Sequence, residues 1–148
     1  MEWTLELGTV PVRDLDRAIA FYRDRVGFAL DHEIRNEWMQ AAQLTPRGSG
    51  CSILVDALAG EDRMAPGSVR GLQLVVSDAH AARAELVGRG VDADEVSVID
   101  PRDGGTLFGF RDPDGNAWVV QQIAARAATP LLPRAEAPAV RGPGDGGS

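Results

Sequence analysis

The residues of this chain whose types bear on chemistry are few. His32 lies in a stretch of strand composition, and imidazole titrates near neutrality, so it is the natural proton carrier if it faces a cavity. Asp56, at the end of a later strand candidate, is placed to act as a base at a pocket mouth. His80 sits one turn into a helix candidate and reads as a surface residue. Gln40, Gln43, Gln73 and Gln121 are neutral donors and acceptors on strand candidates, and an amide on an inward face needs partners once buried. Trp3, Trp38, Met39 and Phe108 add large apolar surface, although Phe108, like Trp118, serves equally well as core filling. Trp38, beside the polar Asn36-Glu37 reversal, is the aromatic best placed to stack on a ligand. Glu6, Glu33, Arg35 and Arg111 read as solvated surface, Glu6 by strand parity on the helix side or at an edge.

Composition narrows the partners. At 148 residues the chain is one domain or two small modules sharing a core. A formal charge of −7 without a basic cluster argues against nucleic acid. No basic region precedes an apolar run at the N-terminus, and no apolar run reaches the roughly 18 residues of a membrane span. The single Cys51 makes neither an internal disulfide nor a multi-cysteine metal site. The expected setting is the cytoplasm.

The elements that must hold these residues follow from periodicity. A strand is expected over about Trp3 to Val12, then a helix capped by Asp14, with Leu15, Ala18, Ile19, Tyr22 and Val26 on its apolar face and Gly27 as its stop. Strands are expected over Phe28 to Arg35, Trp38 to Thr45 and Cys51 to Ala57, then an aperiodic linker over Leu58 to Ser68. The pattern restarts with a strand over Val69 to Val76, an Asp78 cap, a helix stopped by Gly90, and strands near Glu95 to Ile99, Thr106 to Arg111 and Ala117 to Ile123. In the last hairpin Pro113 and Gly115 set the corner, while Asp112 and Asp114 can fold back onto nearby amides.

The same order, β-α-β-β-β, thus occurs twice, with Val12-Arg-Asp14 and Val76-Ser-Asp78 offset by 64 residues. Residues 1–57 form one module, 58–68 the linker and 69–126 the second module. The proline- and glycine-rich tail, 127–148, is expected to be disordered, with Leu131-Leu132 available for local docking. Each module covers one sheet face with its helix and leaves the other for a shared concavity. Alternation puts Val10 and Val12 under the first helix and Leu5, Leu7 and Thr9 inward. In the second module Leu72, Leu74 and Val76 go under the helix, with Gly71, Gln73, Val75, Val119 and Gln121 inward.

Paired β-α-β-β-β units, V-x-D at both strand–helix junctions, Ala20-Phe21-Tyr22 before Gly27-Phe28, and Phe110-Arg-Asp-Pro-Asp-Gly-Asn116 with Trp118 together resemble the vicinal oxygen chelate superfamily. That superfamily includes glyoxalase I, extradiol dioxygenases and bleomycin-resistance proteins, and the chain looks most like the small glyoxalase/bleomycin-resistance type. The resemblance implies an α+β fold in which two βαβββ modules form a cupped mixed sheet around a cavity, and a homodimer. In enzymatic members a divalent metal is held by His and Glu from the inward strand faces. The positions that match those ligands here are Leu7 and Gly71, each seven residues before a V-x-D aspartate, Val119, seven after Asp112, and, by a looser alignment, Ser52. Since a metal needs lone-pair donors there, neither metal nor cofactor is expected.

Two functions are favoured over a metal-dependent glyoxalase or dioxygenase. One is a binding protein that sequesters a small hydrophobic or aromatic compound for resistance, with Leu7, Thr9, Trp38, Gln40, Ser52, Gly71, Gln73, Val119 and Gln121 as its contacts. The other is a metal-independent isomerase, cyclase or lyase of secondary metabolism, using His32 or Asp56 to move a proton.

Overall fold

The computed structural model describes residues 1–129, and the tail beyond them, including Leu131-Leu132, lies outside the described residues. Among the described residues eight strands form two four-stranded sheets of the same order. Strands β1 (Leu7–Pro11), β2 (Ala29–Arg35), β3 (Gln40–Thr45) and β4 (Ser52–Asp56) assemble as β1-β4-β3-β2. Strands β5 (Leu72–Val76), β6 (Ser97–Val98), β7 (Thr106–Arg111) and β8 (Ala117–Gln122) assemble as β5-β8-β7-β6. In each sheet the first strand pairs parallel with the last and every other pairing is antiparallel, so the sequence repeat is a structural one.

Both helices start where an aspartate satisfies a free amide. Asp14 accepts from Arg17 N and Asp78 from Ala81 N, each at 3.0 Å. Helix α1 (Leu15–Ile19) does not stay regular: it widens into a π-helix over Ala20–Val26. Gly27, with φ of 96°, then ends it, and the Gly27 and Phe28 amides both bond to Tyr22 O. Helix α2 (Ala79–Gly88) covers the second sheet, and a 3-10 helix (Ala124–Ala127) follows β8.

The expected first strand is too long. Trp3 to Glu6 lie outside β1, and Trp3 and Leu5 are exposed. Trp38 and Met39 likewise belong to the β2–β3 turn, because Asn36 Oδ1 accepts from both of their amides and closes a tight reversal before β3 begins.

One core runs through both modules. Val10, Leu15, Phe21, Tyr22, Phe28 and Leu44 from the first pack with Leu86, Phe108, Phe110, Trp118 and Val120 from the second. Phe110 and Trp118 stack with ring planes 2° apart and centroids at 5.9 Å, while the Trp118 and Tyr22 centroids are 5.8 Å apart. Phe108 and Trp118 are therefore core residues, and Phe108 does not line the open side of its sheet.

Polar groups join the modules as firmly as the rings do. Asn116, fully buried, donates to Pro11 O and to Asp112 Oδ2, and accepts from Val69 N. Asp112 Oδ1 takes the Asp114 and Asn116 amides, as the turn chemistry requires. Asp114 does not fold back. Its Oδ1 receives Arg13 N and the Arg13 and Arg17 guanidinium groups, so Arg17, although exposed, braces the module junction. Gly67 crosses closely over this turn: a Cβ there would stand 2.0 Å from Asp114 O.

Candidate functional site

Each sheet keeps one face for its helix and leaves the other open. In the first, Val10, Ala42, Leu44, Ile53 and Val55 face α1, so Leu7, Thr9, Ala41, Gln43, Thr45, Ser52, Leu54 and Asp56 share the opposite side, where Ala41, Gln43 and Ser52 are themselves buried. In the second, Leu72, Leu74, Val76, Trp118 and Val120 pack into the core, which leaves Gln73, Val75, Val119 and Gln121 outward. The alternation read from the sequence thus describes both sheets.

One amide moves. Gln40 shares the parity of Ala42 and Leu44, so it lies on the α1 side, where its Nε2 donates to Asn36 O. The expectation of an open-face Gln40 fails because alternation along β3 puts it with Ala42 and Leu44, which pack into the core. Gln43 takes that place, and its Nε2 reaches Glu6 Oε1 at 3.5 Å, which brings Glu6 to the open side and not to the helix side.

The second sheet carries a directional amide chain. Gln73 Nε2 donates to Gln121 Oε1 at 2.6 Å, and Gln121 Nε2 donates to Gly104 O at 2.7 Å. Cross-strand pairing of Gln73 with Val119 and of Val75 with Gln121 holds that chain in register. A cavity of about 350 Å³ borders it, lined by Gln73, Leu74, Val75, Arg126 and the β3–β4 loop residues Pro46 to Ser49. A larger cleft of about 460 Å³ lies between the modules, with Phe28, Leu74, Leu86 and Val120 among its apolar walls and Arg47, Glu85 and Arg89 among its charged ones.

The first sheet carries a hydroxyl chain. The register of β2 slips between Leu30 and His32, so Asp31 is an extra residue, a β-bulge. Asp31 Oδ2 accepts from Thr45 Oγ1, whose hydroxyl also meets Ser52 Oγ at 2.7 Å. Asp31 and Thr45 are the functional candidates that sequence reasoning passes over, since a one-residue bulge leaves the alternating pattern of β2 unremarkable.

The two proposed proton carriers are held differently. His32 is in register with Gln43 on the open side and its side chain is exposed. Asp56 lines a cavity of about 220 Å³ with Thr9, Leu58 and Arg63. Its Oδ2 pairs with Arg63 Nη1 at 2.6 Å and its Oδ1 accepts Leu58 N, so both oxygens are engaged. Trp38 is 73 % exposed at the β2–β3 turn, and His80 is exposed on α2.

The four positions tested for a metal fall as expected on the open strand faces or their approach: Leu7 pairs with Ser52, Val119 pairs with Gln73, and Gly71 precedes β5. Only Ser52 offers a side-chain donor atom, and that oxygen already meets Thr45. Among the described residues no group of three or more His, Cys, Asp or Glu lies close enough to hold an ion. This residue set does not fit a divalent metal. Also among the described residues, no helix is long and apolar enough to cross a membrane.

Known proteins share this arrangement. The profile of the Glyoxalase/Bleomycin resistance protein/Dioxygenase superfamily matches residues 4–120. TnmS3, an antibiotic binding protein from Streptomyces sp. CB03234, is 33% identical with a TM-score of 0.70, over 82% of this chain and 97% of that one. A glyoxalase/bleomycin resistance protein from the same strain is 34% identical with a TM-score of 0.68, over 80% of this chain and 100% of that one. A superfamily member from Sphaerobacter thermophilus DSM 20745 is 25% identical with a TM-score of 0.70, over 82% and 98%. No curated protein matches the sequence. Taken with the duplicated β-α-β-β-β units and their open sheet faces, the match over most of the chain means that this protein belongs to the Glyoxalase/Bleomycin resistance protein/Dioxygenase superfamily.

Proposed function

We propose that this chain is a binding protein that holds a small hydrophobic or aromatic metabolite on its open sheet faces, without a metal, and that it serves resistance by sequestration. The observation that carries the reading is the chemistry of those faces. Where metal-dependent relatives place His and Glu, this chain has Leu7, Gly71, Val119 and Ser52, flanked by the Gln73–Gln121 amide chain. Apolar surface with a few directional amides suits a flat ligand held by stacking and hydrogen bonds. Likeness to an antibiotic binding protein supports the same class of ligand.

Two copies are expected to act together. Trp3, Leu5 and Val75 are exposed, and a second subunit that covers them would also close the open faces into a deeper cup. The setting proposed is cytoplasmic.

A second reading, a metal-independent isomerase, cyclase or lyase, rests on His32, an exposed imidazole in register with Gln43 on the open side. Incubation with candidate antibiotics separates the two. A sequestering protein protects cells that express it and releases its ligand chemically unchanged. Product formation at substoichiometric protein shows an enzyme instead, and loss of both effects removes the proposal.

A further inference from the structure

On the open face of the first sheet, three side chains form a chain of fixed direction. The Thr45 hydroxyl has one proton, and it is given to Asp31 Oδ2. The contact of 2.7 Å between Thr45 and Ser52 must then be donated by Ser52. Ser52 is 5% exposed, and with its only proton turned inward the part of its Oγ that is left to a ligand offers lone pairs but no hydrogen. Asp31 points the same way in character: it is 7% exposed, and among the described residues nothing donates to its Oδ1. A buried carboxylate oxygen without a donor is costly, and such a cost persists where a functional partner supplies what is missing. Asp31 lies two residues on from Ala29, which pairs with Thr45, so alternation keeps it on Thr45's side of the sheet.

We infer that Ser52, oriented by Thr45 and Asp31, is a hydrogen-bond acceptor that selects ligands carrying a donor group, a phenolic hydroxyl or an amine, over ligands that present an ether or carbonyl there. This rests on the binding-protein reading and narrows its ligand class to donor-bearing aromatics. Ser52 touches the ligand. Thr45 and Asp31 are positioning residues that set which way its proton points.

The test uses two probes of one ring system, 2-naphthol and 2-methoxynaphthalene, titrated into the full chain by calorimetry. The native protein should bind the naphthol at least tenfold more tightly than the ether. Thr45→Val keeps the shape but removes the hydroxyl, so Ser52 is free to turn its proton outward and the ratio should fall to about twofold or less. Asp31→Asn, checked for an unchanged thermal transition, should lower the ratio as well, since an amide can place its own donor at this end. Equal affinities for both probes in the native protein, or a ratio that survives Thr45→Val, would overturn the inference and leave the binding reading intact. Failure of both probes to bind would remove the aromatic-binding reading, and the inference with it.

Discussion

The Tyr22 hydroxyl donates to Asp112 Oδ2 at 2.7 Å across 90 residues of sequence, and the Tyr22 hydroxyl oxygen itself accepts from Trp118 Nε1 at 2.9 Å. Burial, reinforced by the charge and hydrogen bond of Asp112, raises the phenol far above its ordinary value. The sign follows from linkage. A folded-state value above the unfolded one stabilises fully below pH of about 10, and that stabilisation is lost as pH rises toward the folded value. Stability should therefore decline above about pH 10. Tyr22 is the one tyrosine of the chain, so phenolate absorbance reports it alone and should appear only as the protein unfolds. Tyr22→Phe should remove the alkaline slope and cost about 1–3 kcal/mol at neutral pH, because Trp118 Nε1 is left without its acceptor.

Gly67 and Gly48 make a matched pair for the module junction. Both have positive φ, 79° and 81°, yet a Cβ at Gly48 meets open space while one at Gly67 meets Asp114 O at 2.0 Å. Gly48→Ala should lose about 1 kcal/mol in denaturant unfolding. Gly67→Ala carries the same backbone penalty plus the displacement of the turn that holds Asp114 against Arg13 and Arg17, so its loss should be clearly larger. Equal losses would mean that the close approach at Gly67 is not maintained in solution.

Elemental analysis bears directly on Leu7, Ser52, Gly71 and Val119. With one donor side chain among the four, purified protein should carry less than stoichiometric zinc, nickel or iron. A chelator should leave ligand affinity unchanged. A full equivalent of metal would contradict the ligand assignment, whatever the activity.

Gln73, His32 and Asp56 distinguish binding from turnover. Gln73→Leu breaks the amide chain to Gln121 and should weaken ligand binding by about 1 kcal/mol, roughly fivefold. Under the sequestration reading, His32→Ala and Asp56→Asn should leave affinity within about twofold, since the first is a solvated imidazole and the second a carboxylate engaged by Arg63 and Leu58. If a substrate is found to be turned over, a fall in kcat with unchanged KM for His32→Ala would favour the enzyme.

Much of this architecture could be read from local chemistry. Asp14 and Asp78 announce their helices because their carboxylates satisfy amides three residues on, and the alternation of β5 and β8 sorts Gln73 and Gln121 from Leu74 and Trp118 without ambiguity. Features set by register were not legible. Where β3 starts depends on the Asn36 side chain closing the turn, which takes Trp38 and Met39 out of the strand. The bulge at Asp31 turns over the parity of His32 to Arg35 with no mark in composition, so the place of His32 opposite Gln43 has no signature in one dimension. The junction roles of Arg17 and Asp114 were hidden for a related reason: charged residues on a helix surface and in a turn look solvated until a second module is placed against them.

The widened turn over Ala20–Val26 makes the length of the first helix a fixed quantity. Regular winding advances each side chain by about 100°, so removing one residue between Ala20 and Val26 would restore an ordinary spiral and swing the phenol of Tyr22 away from Asp112 and Trp118. A single-codon deletion there would loosen the junction of the two halves without touching either sheet, whereas the β3–β4 loop, which takes no part in the Tyr22 contacts with Asp112 and Trp118, should absorb the same change with less effect.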